Sequence, residues 1–436
     1  MSPRHGSNGV RGTLIAAVLF LPLALSSPAG SQNLEAESGA QSLLLDPSVR
    51  SSAMGHSSNA VFWGIGSNYW SNPALLAYRR GVEYEWGRTQ LVPQIADDVF
   101  FTSKRLTLGY WGVGFLVAGK PISSVGGLRL DYGVSIATDV DGNELGRFRS
   151  YEDTQAFATG ANLLEFAEHA LKVGGMEIPA LSRYGDVAVG WSEKRTHVFL
   201  APADVTLDHV AAEGYVTTHD SGVLVRLTPY DGIDHPGTLP GLDRVLALRL
   251  DGSYGGSTQN YNNATIANAT IAYVDPNQSD PVARIQIKGW AAHASFDLPQ
   301  RYRENIRAHR LGWLTDMISP LISVGRTGSK QLPLIPDATT GGLRSGTRIR
   351  NSGWEVTLAN IYSFRGGKID DPAGTIQGET SGWGIGLHLK DVAGFNYDRA
   401  TIPQSIYLGP VHRKALSFYF NPLRAWDLMR GGKRSV

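Results

Sequence analysis

The chain has 436 residues, no cysteine and a formal net charge of +1 at pH 7. The absence of cysteine excludes disulfides, zinc–thiolate sites and thiol nucleophiles, and the balanced charge gives no reason to expect a nucleic-acid partner. The 51 Gly, 10 Trp and 17 Tyr, with only 18% charged residues, are typical of one large β-barrel that turns apolar and aromatic side chains towards lipid.

Residues 1–31 have the three parts of a secretory signal peptide. Arg4 and Arg11 precede an apolar run from Leu14 to Leu25, and mostly small residues follow up to Ser31. We expect this segment to be removed. No later stretch has the roughly 20 apolar residues of a transmembrane helix. An exported chain of this kind is periplasmic, secreted or an outer-membrane β-barrel.

Alternating strands dominate the sequence from 81 to 421. In the stretch Leu128–Ala137, for example, Leu128 and Leu130 alternate with Arg129 and Asp131. The pattern recurs often enough for about a dozen strands or more, with apolar residues expected outside and polar or small residues inside a barrel. We therefore predict an all-β fold, a transmembrane antiparallel β-barrel over 81–421 with a tail over 422–436. A soluble β-sandwich is the alternative.

Two insertions have apolar residues at helical spacing, one at Thr154–Lys172 and one at Gln300–Ser319. Charged residues recur within both, so neither is predicted to span the membrane. We interpret them as short helices that cap a barrel mouth or pack in a loop. A lipid-binding surface helix is the alternative interpretation.

No catalytic signature occurs in the sequence. The zinc-protease, phosphate-loop and nucleophile-elbow motifs are all missing from it. Adjacent acid–imidazole pairs such as His219-Asp220 would point to opposite faces of a strand. We therefore predict that the protein is not an enzyme and has no cofactor or metal site.

Six polar residues alternate with apolar neighbours in the predicted strands, and we expect them to line the lumen. They form either structural ion pairs or a ligand path. The six are Arg129, Asp131, Arg249, Asp251, Gln286 and Lys288.

The stretch from Leu43 to Ala77 is too irregular for a strand and too rich in small residues for a surface helix. We predict that it packs inside the barrel as part of an N-terminal plug over 32–80. Its run from Leu43 to Gly55, followed by Trp70 to Ala77, resembles the N-terminus of PorV/PorQ-type outer-membrane proteins. These are relatives of the FadL long-chain fatty-acid transporter.

The FadL-like resemblance implies fourteen strands, a plugged lumen and a hydrophobic ligand that enters from outside and leaves laterally or through the plug. The family's Asn-Pro-Ala stretch corresponds to Asn72, Pro73 and Ala74 of this chain. Pro73 suits a rigid turn because its φ is fixed. These residues are candidates for plug structure and gating. Arg50, Met54 and Gly55 in the first run are candidates for the same role.

Three functions compete. The first is transport of a hydrophobic or amphipathic small molecule across the outer membrane. The second, implied by the PorV side of the resemblance, is a binding barrel for exported proteins in type IX secretion. The third is a structural barrel or non-specific pore. An apolar, plugged lumen would favour the first function, an exposed apolar extracellular groove the second, and a wide, charged, unplugged lumen the third.

Overall fold

In the computed structural model, the described residues are 38–66, 69–119, 127–138, 141, 143–176, 180–206, 209–235, 246–262, 267–307, 317–336, 343–372, 377–389, 392–404 and 409–429. The predicted signal peptide at 1–31 lies outside them, as do plug residues 32–37 and tail residues 430–436. No helix among the described residues is long and apolar enough to cross a membrane.

The strands are β1 (Gly81–Gln90), β2 (Phe100–Tyr110), β3 (Val113–Ala118), β4 (Gly127–Thr138), β5 (Glu144–Asn162), β6 (Gly185–Ala201), β7 (Ala212–Asp231), β8 (Ala247–Asn262), β9 (Ala267–Asn268), β10 (Thr270–Tyr273), β11 (Ser279–Pro281), β12 (Arg284–Asp297), β13 (Ile322–Pro336), β14 (Leu343–Ser345), β15 (Ile349–Leu358), β16 (Tyr362–Asp370), β17 (Gly378–Leu389), β18 (Ala393–Ile402) and β19 (Val411–Phe420). The α-helices are α1 (Val49–Ala53), α2 (Leu163–Val173), α3 (Gln300–Arg307) and α4 (Pro422–Met429). Short 3₁₀ helices are Gln41–Leu43, Pro73–Tyr78 and Leu181–Arg183.

These strands form a closed antiparallel barrel of 14 wall strands. β1 pairs with β19 from Val82↔Phe420 to Thr89↔Arg413, which closes the sheet. β3 and β4 lie end to end between β2 and β5, so together they make one wall strand. The short strands β9, β10 and β14 pair with the ends of β8, β7 and β13, and β11 pairs with β10. The predicted all-β barrel is therefore confirmed.

The outside of the barrel carries an apolar band that adjoins the end at which β1 begins, here called the proximal rim. The opposite end, at which β1 finishes, is the distal rim. Aromatic side chains lie exposed at the distal edge of the band, on β1, β8, β12, β15 and β17, as a membrane-spanning barrel requires at an interface. They are Trp86, Tyr254, Trp290, Trp354 and Trp383.

Helix α2 begins nine residues later than the predicted insertion at Thr154, because Thr154–Asn162 belongs to β5. Phe157 and Ala161 are four residues apart, and this spacing puts two side chains on one face of a strand as well as of a helix. The helical pattern was therefore ambiguous at this point. In the second insertion, α3 covers Gln300–Arg307, and residues 308–316 lie outside the described part of the chain.

Helix α2 packs with its polar face against the protein, whereas a helix on a soluble core packs with its apolar face. Its polar side chains contact the protein: Glu165 pairs with Arg80 at 2.5 Å, and Glu168 accepts the Ser182 N–H at 2.7 Å. Its apolar side chains are exposed, and they are Leu163, Leu164, Phe166 and Val173. Since α2 follows directly from β5 at the proximal rim, this exposed apolar face continues the outer band.

Candidate functional site

The N-terminal segment from Ser38 to Arg80 lies within the barrel and is called the plug. Wall hydroxyls hold its backbone at several levels. Thr380 donates to the Ala53 carbonyl at 2.8 Å, and Ser253 donates to the Ala60 carbonyl at 2.7 Å. Each bond satisfies a buried carbonyl that would otherwise cost about 1–3 kcal/mol. The plug therefore has one defined position in the lumen.

Arg50 makes the best-defined contact between plug and wall. Its Nε and Nη2 donate to the two carboxylate oxygens of Glu355 on β15, at 2.8 and 2.6 Å. Its Nη1 donates to the Trp63 carbonyl at 2.7 Å. The guanidinium and the carboxylate are both almost fully buried, so this two-bond geometry is needed to offset their desolvation.

Glu355 belongs to a larger network on the inner wall. Arg365 on β16 donates to Glu355 at 2.6 Å and to Asp398 on β18 at 2.5 Å. On β1, Glu83 accepts from Arg79 of the plug at 2.8 Å, and Glu85 pairs with Arg105 of β2. We call the inward residues of β1 and β15–β19 the charged wall, which comprises Glu83, Glu85, Glu355, Arg365, Asp398 and Arg413.

Asp46 adds a carboxylate on the plug side. Its Oδ2 lies 3.2 Å from Nδ1 of His56, also in the plug. Burial by itself raises the pKa of Asp46, but the hydrogen bond and charge of His56, with smaller contributions from Ser51 and Arg413, leave that pKa lowered. Plug and charged wall thus complement each other in both signs of charge.

Met54 and Gly55 lie where the plug meets β15 and β16. Met54 is fully buried, and Gly55 has φ of +64°, a conformation that favours glycine. A Cβ at Gly55 would also lie only 2.8 Å from the backbone nitrogen of Lys368. Glycine is therefore required here both for backbone conformation and for close approach to the wall.

Asn72, Pro73 and Ala74 begin the 3₁₀ helix of the plug. The Asn72 Oδ1 accepts the Ala74 N–H at 3.1 Å, and its Nδ2 donates to the Asn59 carbonyl at 2.9 Å and the Val223 carbonyl at 3.2 Å. Pro73 occupies the first helical turn, where no N–H is needed. The motif caps the helix and ties it to β7.

A row of glycines in the wall makes room for this motif. The row crosses five adjacent strands in register, and its members are Gly109, Gly114, Gly160, Gly190 and Gly222. A Cβ at Gly222 would overlap Asn72 Oδ1, one at Gly190 would overlap Ala74 N, and one at Gly160 would lie 2.6 Å from the Pro73 carbonyl. The backbone of the plug thus packs directly on the backbone of the wall.

The plug also packs on an apolar part of the wall. Leu43, Leu75 and Leu76 of the plug belong to one buried cluster with inward side chains of β2–β5. We call these wall residues the apolar wall, and they are Phe101, Leu116, Ala118, Leu128, Leu130, Ala156 and Ala158. Nearby, the buried pair Lys194–Asp220 (2.6 Å) lies beside the plug, with the Lys194 ammonium 3.9 Å from the centre of the Trp70 ring.

A cavity of about 650 Å³ lies between the plug and the proximal rim. Its exposed lining is polar and apolar in about equal parts, and its charged side chains include Arg226, Arg249, Asp251 and Arg365. The His293 ring stacks on Trp63 at 4.4 Å between ring centres. No group of three or more metal-ligating side chains occurs in the described part of the chain. The arrangement can receive a polar or charged group and does not form an apolar pocket.

The structure places only two of the six predicted lumen residues inside. Asp251 is buried and accepts from Thr228 at 2.7 Å and from Arg249 at 2.9 Å. The prediction was wrong for the other four, which lie on the outer face of β4 or β12. Arg129 and Asp131 alternate with the buried Leu128 and Leu130, and Gln286 and Lys288 alternate with the buried Ile285 and Ile287.

On β12, Gln286 and Lys288 lie distal to Trp290, beyond the apolar band, where the outer face can be polar. On β4, the physical reason for the reversal is the plug. Apolar-outside, polar-inside alternation holds for a water-filled lumen, whereas Leu128 and Leu130 belong to one buried cluster with apolar side chains of the plug. A bulge between Asp131 and Val134 then changes the phase of β4, so that Val134 and Ile136 are exposed.

Sequence reasoning missed the charged wall as a site. Glu83 and Glu85 alternate with Val82, Tyr84 and Trp86, which was a usable signal for inward carboxylates. Glu355, Arg365 and Asp398 are single charges in separate strands. Nothing in their spacing indicates that closure of the barrel brings them together around Arg50.

No protein-family model and no curated protein matches the chain. Among solved structures it is similar to the toluene transporter TbuX of Ralstonia pickettii, at 10% identity over 86% of this chain and 97% of that one, with a TM-score of 0.37. The CymD monoaromatic hydrocarbon channel is 12% identical over 87% and 98%, with a TM-score of 0.38. A FadL homologue of Pseudomonas aeruginosa is 8% identical over 86% and 98%, with a TM-score of 0.35. None of the three is a PorV or PorQ protein, and at these values the similarity carries no argument about the ligand.

Proposed function

We propose that the chain is an outer-membrane β-barrel that transports a hydrophobic or amphipathic small molecule across the outer membrane, with the plug as its gate. The observation that carries the proposal is that the plug makes two kinds of contact with the wall, one apolar and one charged. The apolar side chains Leu43, Leu75 and Leu76 close the lumen against the apolar wall, while Arg50 and Arg79 hold the plug on the charged wall.

A non-specific pore requires a wide and unplugged lumen, and this lumen is filled by Ser38–Arg80. An apolar solute can replace apolar contacts of the plug at little cost, because dispersion and hydrophobic contacts are non-directional. An apolar solute cannot replace the directional bonds that the charged wall makes with the plug. We therefore place the path of the transported molecule along the apolar wall.

The mixed polar and apolar lining of the cavity at the proximal rim favours an amphipathic molecule over a pure hydrocarbon. Arg226, Arg249 and Asp251 are among the side chains that line it. A polar head could be hydrogen-bonded there, whereas an alkyl or aryl group alone would leave those side chains unmatched. The residues proposed for gating are Arg50, Met54, Gly55, Asn72, Pro73 and Ala74.

A disulfide between plug and wall tests the proposal directly. Ser57 Oγ and Thr327 Oγ1 are 2.5 Å apart, and the chain has no cysteine of its own. The variant Ser57→Cys/Thr327→Cys therefore carries a single pair of thiols that ties the plug to β13. The matched control is Thr401→Cys/His412→Cys, whose Oγ1 and Nδ1 atoms are 3.1 Å apart on the outer faces of β18 and β19, two wall strands that are already paired.

Uptake of oleate and of toluene is measured in cells that produce each variant, under oxidising and then reducing conditions. We expect the plug-locked variant to lose uptake when oxidised and to regain it on reduction, and the wall-locked control to transport in both states. Undiminished uptake with the plug locked would overturn the gating role. Absence of uptake of either solute in every variant, with the barrel folded in the membrane, would overturn transport itself.

A further inference from the structure

Three cations stand side by side on the outside of the barrel. Arg88 on β1 lies directly opposite Lys414 on β19, and Lys414 lies directly opposite Arg399 on β18. The residues on either side of each in sequence are buried in the lumen wall, which fixes the three side chains on the outer face. We call them the basic triad.

Within the described part of the chain, no carboxylate pairs with the basic triad. The contact found for Arg88 is with the Phe100 ring, 3.9 Å from its centre. The residues next in register on the outer strands are Thr102 and Trp383, and neither carries a charge. Like charges at directly opposite positions destabilise a sheet unless an anion neutralises them. The arrangement therefore favours binding of an anion from outside the chain.

The basic triad lies at the distal edge of the apolar band. The next outward position towards the proximal rim is Trp86 on β1, Tyr397 on β18 and Leu416 on β19. This is the depth at which lipid headgroups begin, with aromatic side chains just below them. Phosphate groups of lipids are the anions available at that depth.

A groove on the outer surface leads away from the triad. Its volume is about 300 Å³, and it is lined by Phe364, Gly382, Trp383 and Arg399, with Ser381 and Thr401. The Phe364 and Trp383 rings and the Arg399 guanidinium are neighbours in register, and Ser381 and Thr401 lie on their distal side. A molecule with an acyl chain and an anionic head matches the aromatic and the cationic side chains.

We propose that the basic triad and this groove form a binding site for a phosphorylated lipid of the leaflet at the distal rim. The headgroup phosphate contacts Arg88, Arg399 and Lys414, and one acyl chain lies in the groove between Phe364 and Trp383. The inference depends on the membrane-spanning barrel and is independent of what passes through the lumen.

The lengths of the turns indicate that the distal rim faces the cell exterior. Two of the tightest connections, Trp111–Gly112 and 359–361, lie at the proximal rim, where short turns mark the periplasmic end of outer-membrane barrels. The lipid at the triad is then the phosphorylated glycolipid of the outer leaflet, and lipid A is its simplest probe.

A second set of neighbouring cations shows why the first is the better site. Lys288, Lys330 and Arg350 are also directly opposite one another on β12, β13 and β15. However, Arg350 lies directly opposite Asp370 on β16, a carboxylate that offsets part of the positive charge of the set. We expect it to bind phosphate more weakly than the basic triad.

The test compares two triple variants of the full-length protein. Arg88→Gln/Arg399→Gln/Lys414→Gln removes the basic triad, and Arg147→Gln/Lys172→Gln/Arg195→Gln removes the same charge from other exposed positions. Binding of diphosphorylated lipid A is titrated by native mass spectrometry on protein released from phosphatidylcholine nanodiscs. At about fivefold per cation near a membrane surface, the triad variant should bind on the order of a hundredfold more weakly. The control variant should bind like the wild type.

Further arms separate the lipid from its phosphate and the site from the fold. Inorganic phosphate at the same concentration should not compete with lipid A. Lipid A without its phosphates should bind the wild type as weakly as intact lipid A binds the triad variant. Heat-modifiable gel migration reports whether each variant is folded. If the triple variant does not fold, Arg399→Gln and Trp383→Ala are titrated singly, and each should weaken binding severalfold. Equal affinity for wild type and triad variant, or full competition by inorganic phosphate, would overturn the proposal.

Discussion

The two walls of the lumen hold the plug in different ways. The charged wall fixes it by directional bonds at set positions, of which the Arg50–Glu355 pair has both of its hydrogen bonds at 2.8 Å or less. The apolar wall holds it mainly through Leu43, Leu75 and Leu76, whose contacts are many and individually weak. One carboxylate on that side, Glu152 of β5, also accepts the Gln41 and Ser42 N–H groups, at 3.1 and 2.7 Å. Directional bonds cannot shift by small amounts without breaking, whereas apolar contacts can be exchanged for others. We infer that the charged wall, which makes more of these directional bonds, anchors the plug, and that the apolar wall is its releasable side.

The largest effect is expected from Arg50→Met, which removes the anchor. Glu355 would remain buried with Arg365, which also holds Asp398, and loss of one partner of a buried pair costs about 3–5 kcal/mol. We expect the plug to leave its seat while the barrel stays folded. The measurements are ion conductance in planar bilayers, which should rise, and protease cleavage within 38–80, which should accelerate.

Two controls belong to this experiment. Arg50→Lys keeps the charge but cannot form the two-bond geometry, so it should fall between wild type and Arg50→Met. Arg147→Met removes a cation that pairs with Glu144 at the exposed surface and should change neither readout. If Arg50→Met conducts no better than Arg147→Met, the charged wall is not the anchor.

An intermediate effect is expected from Gly190→Val, which tests the backbone contact between the plug and the barrel wall. A side chain there would overlap Ala74 N, and overpacking of this kind costs about 1–3 kcal/mol. Conductance should rise less than in Arg50→Met, because the anchor is intact. Gly256→Val on β8 is the matched control, since a Cβ at Gly256 would meet nothing within 4 Å. Equal behaviour of the two glycine variants would mean that the glycine row does not seat the plug.

The sequence was sufficient to predict the barrel, its antiparallel strands and the enclosed segment around Leu43–Ala77. These follow from local alternation and from composition, which are properties of short stretches. Asn72, Pro73 and Ala74 were singled out by the resemblance to the FadL-like N-terminus, and the fixed φ of Pro73 suited a rigid turn there. What these residues pack against, the glycine row, needs the register of five strands.

The sequence could not predict which face of each strand points inward. Arg129 and Lys288 were predicted to line the lumen because an alternating strand can be placed with either face inward. Choosing between the two placements requires knowing what fills the barrel. With water inside, the polar phase faces inward, and with an apolar plug inside, the apolar phase does. The same limit hid Glu355, whose partner Arg50 is 305 residues away in the chain.

The smallest effect is expected where a buried ion pair lies on the releasable side of the plug. Lys194→Met/Asp220→Asn removes both charges of the pair beside Trp70 and keeps the oxygen that accepts the Asn260 N–H at 3.0 Å. Replacing both partners of a buried pair is often neutral or stabilising, so unfolding in urea should change by no more than about 1 kcal/mol and conductance should stay closed. The single variant Lys194→Met leaves Asp220 buried alone and should be far less stable. If the double variant released the plug as Arg50→Met is expected to, this pair would be a second anchor, and the division of the lumen into an anchoring and a releasable wall would be wrong.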